Sequence, residues 1–311
     1  MTPEERPFRF GVLLDTRGGT PAGTAELARR AEAADVDVLL GTDHVGRRAA
    51  LPLLQAAASV SRLRIGTYVL NNDFRHPVLL AQDLATLDIV TDGRVEIGLG
   101  AGWNRPEYDA IALPFDAPGV RVGRVEASVR ILKAAMRDGR VERGADAAYP
   151  AISAGDLPRS AQRPHPPFLV GGGGPRLLRF AAREAQIVAL NPRSLPEGRL
   201  DPADVTAAAV DRKIGWVRDA AGERWAELEI NAILFDVDPD FGRRSGPPPP
   251  RTHGASEDIM AASPHYLVGD VDEMAEQVLE ARRRWGISYL SMRPAHLDAM
   301  EPVIRRVRDL A

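Results

Sequence analysis

The chain of 311 residues contains no cysteine. That absence excludes disulfides, a thiolate nucleophile and any thiolate metal site. Lysine is almost missing as well: it occurs only at Lys133 and Lys213, so nearly all positive charge is arginine. No basic block interleaves with aromatics and the formal net charge is −3, which argues against nucleic acid as a partner. The six histidines are scattered, without His-x-x-x-His or a carboxylate facial pattern, so no metal is expected. No apolar run reaches the ~18 residues of a membrane span. Residues 1–7 are charged and proline-rich, unlike a signal peptide. A soluble, cytoplasmic protein with a small-molecule partner is expected.

What is present is rhythm. Strand-like runs over 8–14, 36–41, 63–70, 95–100, 168–170, 187–190, 228–237 and 287–292 alternate with helix-like runs. The helices are expected over 24–34, 49–60, 77–90, 121–137, 175–184, 204–219, 271–285 and 297–310, the last broken early by Pro302. Eight βα units in one α/β chain predict a single (β/α)8 TIM barrel with insertion loops, one domain over 1–311. The alternative is a doubly wound sheet, but Asp15-Thr-Arg-Gly-Gly19 is not the glycine fingerprint such a fold carries in its first turn. Two proline-rich stretches interrupt the repeat. One, 141–167, carries a candidate hairpin near Tyr149. The other, 238–264, follows strand seven and is expected to lie over the active face.

Barrel sites are assembled at the C-terminal ends of the strands. Strand four ends in Gly98-Leu-Gly-Ala-Gly-Trp103, with Glu107 four residues on. These glycines permit close backbone approach, so either a flat group presses on the strand end or the run is a buried strand with a glycine turn. Strand two ends in Gly41-Thr-Asp-His44, where His44 can carry a proton near neutrality or the Asp43–His44 pair can cap the next helix. Strand three ends in Asn71-Asn-Asp-Phe-Arg-His-Pro77, whose amides suit a heterocycle edge or an ordinary turn. Strand five runs through Gly171-Gly-Gly-Gly-Pro-Arg176 into a helix, either a phosphate cradle or a flexible turn.

In this order, Thr42-Asp-His44, Val69-Leu-Asn-Asn-Asp-Phe-Arg-His-Pro77, Ala85-Thr-Leu-Asp88, Gly98-Leu-Gly-Ala-Gly-Trp103 with Glu107, Gly171 to Gly174 and Gly286-Ile-Ser-Tyr-Leu290 resemble the luciferase-like monooxygenase superfamily. The resemblance covers nearly the whole chain, and within it the sequence looks most like the coenzyme F420-dependent branch. It implies a bulge with a non-prolyl cis peptide near Tyr68-Val69-Leu70 behind the cofactor ring. It implies His44, Glu107 and Asp43 as the catalytic set. The cofactor would contact Tyr68, Val69, Leu70, Asn71 and Trp103, with its phosphate at Gly172, Gly173, Gly174, Pro175 and Arg176. It further implies a homodimer joined through the 49–60 and 77–90 helices.

The sequence departs from that branch in two places. Sugar-phosphate dehydrogenases of this kind hold substrate phosphate with lysines in the second half, where this chain has only Lys213, on an expected helix. The loop after His44 also looks short. The expected activity is hydride transfer between F420 and a small organic substrate. The alternatives are an FMN-dependent monooxygenase, a non-catalytic flavin- or deazaflavin-binding protein, and a barrel hydrolase without cofactor.

Overall fold

Local signals in the sequence set most element boundaries. The helix over Val271–Trp285 starts on Asp270, whose carboxylate accepts the Glu273 amide at 3.0 Å while the Glu273 carboxylate accepts the Asp270 amide at 2.8 Å. This reciprocal cap satisfies two N-terminal donors that the helix itself cannot. The helix stops at Gly286, which turns left-handed at φ 71° and delivers the chain into the last strand.

In a computed structural model, residues 5–195, 200–241 and 255–311 are described. Their strands are β1 (Arg9–Leu13), β2 (Val38–Gly41), β3 (Arg64–Thr67), β4 (Leu70–Asn71), β5 (Val95–Gly100), β6 (Val141–Arg143) and β7 (Ile152–Ala154). They continue as β8 (Phe168–Gly172), β9 (Ile187–Leu190), β10 (Glu229–Ile233), β11 (Asp236–Asp238), β12 (Tyr266–Val268) and β13 (Ile287–Met292). The helices are α1 (Pro21–Ala33), α2 (Ala50–Ala58), α3 (Pro77–Val90), α4 (Arg105–Ala110) and α5 (Pro118–Asp138). After them come α6 (Pro175–Glu184), α7 (Ala207–Ala221), α8 (Glu257–Ala262), α9 (Val271–Trp285) and α10 (Leu297–Leu310).

The main sheet runs β3-β2-β1-β13-β10-β9-β8-β5, all parallel, and β5 pairs back onto β3 and β4. With β3 and β4 as one interrupted strand, this is a closed eight-stranded (β/α)8 barrel, and all eight expected strands take part. Outward side chains such as Phe10, Val12, Ile97 and Val170 pack under the helices. Inward ones, Val38, Leu40, Tyr68, Leu169, Ile187, Ala189 and Tyr289, fill the barrel as a separate cluster. Beneath them Arg9 pairs with Glu96 and Glu229, and Arg64 with Glu96. This ion cluster closes the N-terminal end, so the open end is the C-terminal one.

Three expectations need correction. The 228–237 strand divides, because Leu234 N donates to Ser291 O at 2.7 Å and Phe235 N to His265 O at 2.8 Å. The first bond is the last rung of the barrel ladder to β13; the second turns the chain toward His265, and β11 pairs with β12. The 204–219 helix begins later, at Ala207, with Thr206 as its cap, because the Asp204 carboxylate is taken by Lys213 at 2.7 Å and by the Arg193 amide at 2.7 Å. Pro302 does not break the last helix, which is continuous over Leu297–Leu310. The buried stripe Met300, Val303, Ile304 and Val307 holds it across the one hydrogen bond that proline removes.

The hairpin near Tyr149 is β6–β7, antiparallel. Of the 238–264 stretch, residues 242–254, with Gly246 to Pro250, lie outside the described residues. Of the remainder, Asp238 ends β11 and Glu257–Ala262 form α8, which packs with β12 around Phe235, Met260 and Tyr266. Among the described residues no helix is long and apolar enough to cross a membrane.

Candidate active site

The third strand is broken by a bulge whose cause lies in its neighbour. Ile65 and Gly66 pair with Val95 and Glu96, and Leu70 and Asn71 pair with Leu99 and Gly100. One strand therefore takes an extra residue between the same two registers. The Tyr68–Val69 peptide in this gap is cis, where the family resemblance places such a bond. Thr67 replaces the missing ladder with its hydroxyl, which donates to Gly98 O at 2.9 Å and accepts from Gly98 N at 2.8 Å.

The glycines of β5 make room for that bulge. A Cβ on Gly98 would lie 1.8 Å from Thr67 O, and one on Gly100 would lie 2.6 Å from Val69 Cγ2. What presses against this strand end is thus the chain's own Val69, which stands half-buried at the barrel mouth.

His44 and Glu107 come together across 63 residues: Nδ1 of the imidazole lies 2.7 Å from Glu107 Oε1. Asn104 Nδ2 donates to the same oxygen at 2.7 Å. The Trp103 ring meets His44 edge-on at 6.4 Å and is itself 45% exposed. With Nδ1 engaged by a carboxylate, Nε2 is the ring nitrogen left to exchange a proton.

Asp43 does something else. Its carboxylate takes both Arg75 nitrogens, at 2.6 and 3.1 Å, and the Asn71 amide at 3.1 Å. It ties the end of β2 to the segment beyond the bulge rather than orienting His44. The helix-cap alternative also lapses, since α2 is capped at Ala49 without a side-chain bond.

Glu107 is held in place from behind. It sits in the first turn of α4, and the next residue, Tyr108, is fully buried with its hydroxyl 3.0 Å from Asn71 Oδ1 and 3.1 Å from Asp73 Oδ2. Burial, reinforced by Asp73, pushes that phenol up to about 12. Gly102 admits it, turning at φ +70° where a Cβ would stand 2.0 Å from the hydroxyl. Arg124 then binds Asp73 and Asp116.

Asn71 and Asn72, whose amides suit a heterocycle edge, each give one side-chain atom to the protein. Asn71 Oδ1 takes Tyr108 and the Asp73 amide, and Asn72 Nδ2 donates to Tyr149. Leu70 is wholly buried.

At the second strand-end turn, Gly172 ends β8, Gly174 precedes α6 without a side-chain cap, and Pro175 opens the helix. Its first backbone donors are without a side-chain cap. A Cβ on Gly173 would lie 2.7 Å from Arg193 N and Asn191 O, whereas Gly174 faces open space. Arg176 is turned aside. Its guanidinium holds Glu126 at 2.8 and 3.0 Å and Gly119 O at 2.9 Å, tying α6 to α5.

Sequence reading missed Arg75, Asn104, Tyr108 and Asn191. Only Asn104 carried a signal, lying one helical turn before Glu107. The others are defined by side-chain partners 32 to 123 residues away. Lys213 is wholly buried between Asp204 and the carbonyls of Asn191 and Asp204.

Known proteins resemble this chain in sequence and fold. Residues 7–220 match the family described as luciferase-like monooxygenase. An F420-dependent glucose-6-phosphate dehydrogenase of Beutenbergia cavernae is 34% identical over 321 aligned residues, covering 95% of this chain and 92% of that one. The 5,10-methylenetetrahydromethanopterin reductase of Methanopyrus kandleri is 27% identical, covering 89% and 79%. The structure of a coenzyme F420-dependent tetrahydromethanopterin reductase from that organism superposes with a TM-score of 0.78 at 20% identity, over 98% and 99% of the chains. An FMNH(2)-dependent dimethylsulfone monooxygenase of Pseudomonas putida is 26% identical, covering 71% and 67%. The chain belongs to the luciferase-like monooxygenase family.

Proposed function

We propose that this chain is an F420-dependent oxidoreductase that moves a hydride between the deazaflavin and a small organic substrate. The carrying observation is the placement of the His44–Glu107 couple beside the bulge that presents Val69. Tyr68 N donates to Gly41 O at 2.8 Å, so the bulge that raises Val69 stands next to the loop bearing His44. The relatives named for F420 support the choice of cofactor.

The residues fit such a group. Val69, seated against Gly98 and Gly100, offers the ring an apolar contact at the barrel mouth, and the uncapped start of α6 suits a phosphate. The cofactor, when bound, supplies the hydride chemistry. The protein's part is to hold the ring, exclude water and carry the proton. Glu107 fixes the imidazole through Nδ1, leaving Nε2 to give or take a proton at the substrate.

Lys213 is buried on Asp204, so the single lysine of the second half holds no substrate phosphate, and the substrate is read as something other than a sugar phosphate. A homodimer fits the same reading. On α3, Leu79, Ile89 and Val90 are exposed, as is Val60 just past α2, on the two helices where the family resemblance places the interface.

The test is anaerobic mixing of the purified protein and reduced F420 with a panel of ketones, enones and quinones, following return of the deazaflavin absorbance. Turnover with any acceptor supports the reading. The second reading, an FMN-dependent monooxygenase, rests on the Pseudomonas putida relative. Oxygen uptake with reduced FMN and none of the F420 turnover would establish it instead.

A further inference from the structure

Asn191, just past β9, is held on every side but one. Its backbone amide donates to Gly172 O at 3.1 Å, and its carbonyl accepts Lys213 Nζ at 3.0 Å. Its side-chain oxygen accepts the Tyr68 hydroxyl at 3.0 Å. That hydroxyl is buried, and burial holds the phenol well above its usual range, with Asn191 opposing. It therefore stays protonated and has a hydrogen to place. Among the described residues its hydrogen bond is to Asn191, and a buried hydroxyl hydrogen left without an acceptor is costly. The amide is thereby oriented, oxygen toward Tyr68 and NH2 away from it.

The NH2 group lies beside Gly171, whose missing side chain leaves it room. A Cβ on Gly171 would lie 3.0 Å from Asn191 Nδ2 and 3.4 Å from Val69 Cγ1, so the donor, a glycine edge and the bulge side chain converge at the mouth. Asn191 is half-buried, and Asn72 Nδ2 already donates to Tyr149.

We propose that Asn191 Nδ2 is the donor that recognises a carbonyl oxygen on the edge of the bound ring. The proposal rests on the cofactor reading above and adds a recognition residue to it. Tyr68 acts through Asn191: its hydroxyl sets which end of the amide meets the ring.

The experiment is fluorescence titration of the full chain with F420 and with 8-hydroxy-5-deazariboflavin, which has the ring but no phosphate. Asn191→Ala keeps both backbone bonds of the residue and should weaken both probes equally, by about three- to tenfold. Asn191→Asp, which offers only acceptors, should weaken them at least as much. Tyr68→Phe frees the amide to turn and should give a smaller loss. Thermal melting of each variant separates these losses from unfolding. Asn191→Ala binding both probes as tightly as the wild type would overturn the inference while leaving the cofactor reading intact. Failure of the wild type to bind either probe would overturn that reading, and this inference with it.

Discussion

His44 and Glu107 meet because two strand ends turn toward the same mouth, and each then acquires a partner that narrows its role. The carboxylate holds Nδ1 of the imidazole at 2.7 Å and is steadied by Asn104 at 2.7 Å. His44→Ala or Glu107→Gln should lower turnover by ~10²–10⁴, with F420 affinity within several-fold of wild type. Steady-state rates beside a binding titration check this, and unchanged turnover in both variants would remove the pair from the mechanism. These two residues were legible in the sequence because each follows a strand and carries a titratable group. The bond from Asp43 to Arg75 was not legible, because Arg75 stands 32 residues on. Asn191 was not legible at all: nothing in Asn191-Pro-Arg193 foretells a bond to Tyr68.

Among the elements, the interrupted third strand sets the site. Its extra residue needs a neighbouring strand without side chains, which β5 supplies at Gly98 and Gly100. Gly98→Ala would place a Cβ 1.8 Å from Thr67 O and should cost about 3 kcal/mol or more. Gly174→Ala, with open space around it and φ at −100°, should stay within ~0.5 kcal/mol of wild type. Thermal melting of the two variants side by side checks this, and equal melting temperatures would contradict the proposed packing of the bulge. The sequence showed the glycines but not what they accommodate, since spacing alone does not distinguish a ligand from a neighbouring strand. The turn before α6 was legible as a helix entry. That Arg176 would swing to Glu126 was not, because the carboxylate lies 50 residues earlier on α5.

Across the whole molecule, the barrel was readable because eight apolar runs recur with helices between them, and closure follows from β5 pairing back to β3. The segment after β10 was less readable, its short elements being held by contacts distant in sequence. His265 lies at its centre, wholly buried, with Nδ1 donating to Ile233 O at 2.9 Å. Burial first, then Lys213, lowers its pKa to about 4. The unfolded chain binds this proton more tightly, so stability contributed by the neutral imidazole is lost as pH falls from about 6.5 toward 4. At pH 5 the loss should be about 2 kcal/mol relative to pH 7. Urea unfolding at the two pH values should show a smaller difference in His265→Gln, and identical differences would mean that His265 does not titrate on unfolding. The deazaflavin site is the central claim, and equilibrium titration of the wild-type chain with F420 and with FMN under one set of conditions tests it most directly. F420 should bind at least about tenfold more tightly, ~1.4 kcal/mol; saturable FMN binding with no detectable F420 binding would contradict it.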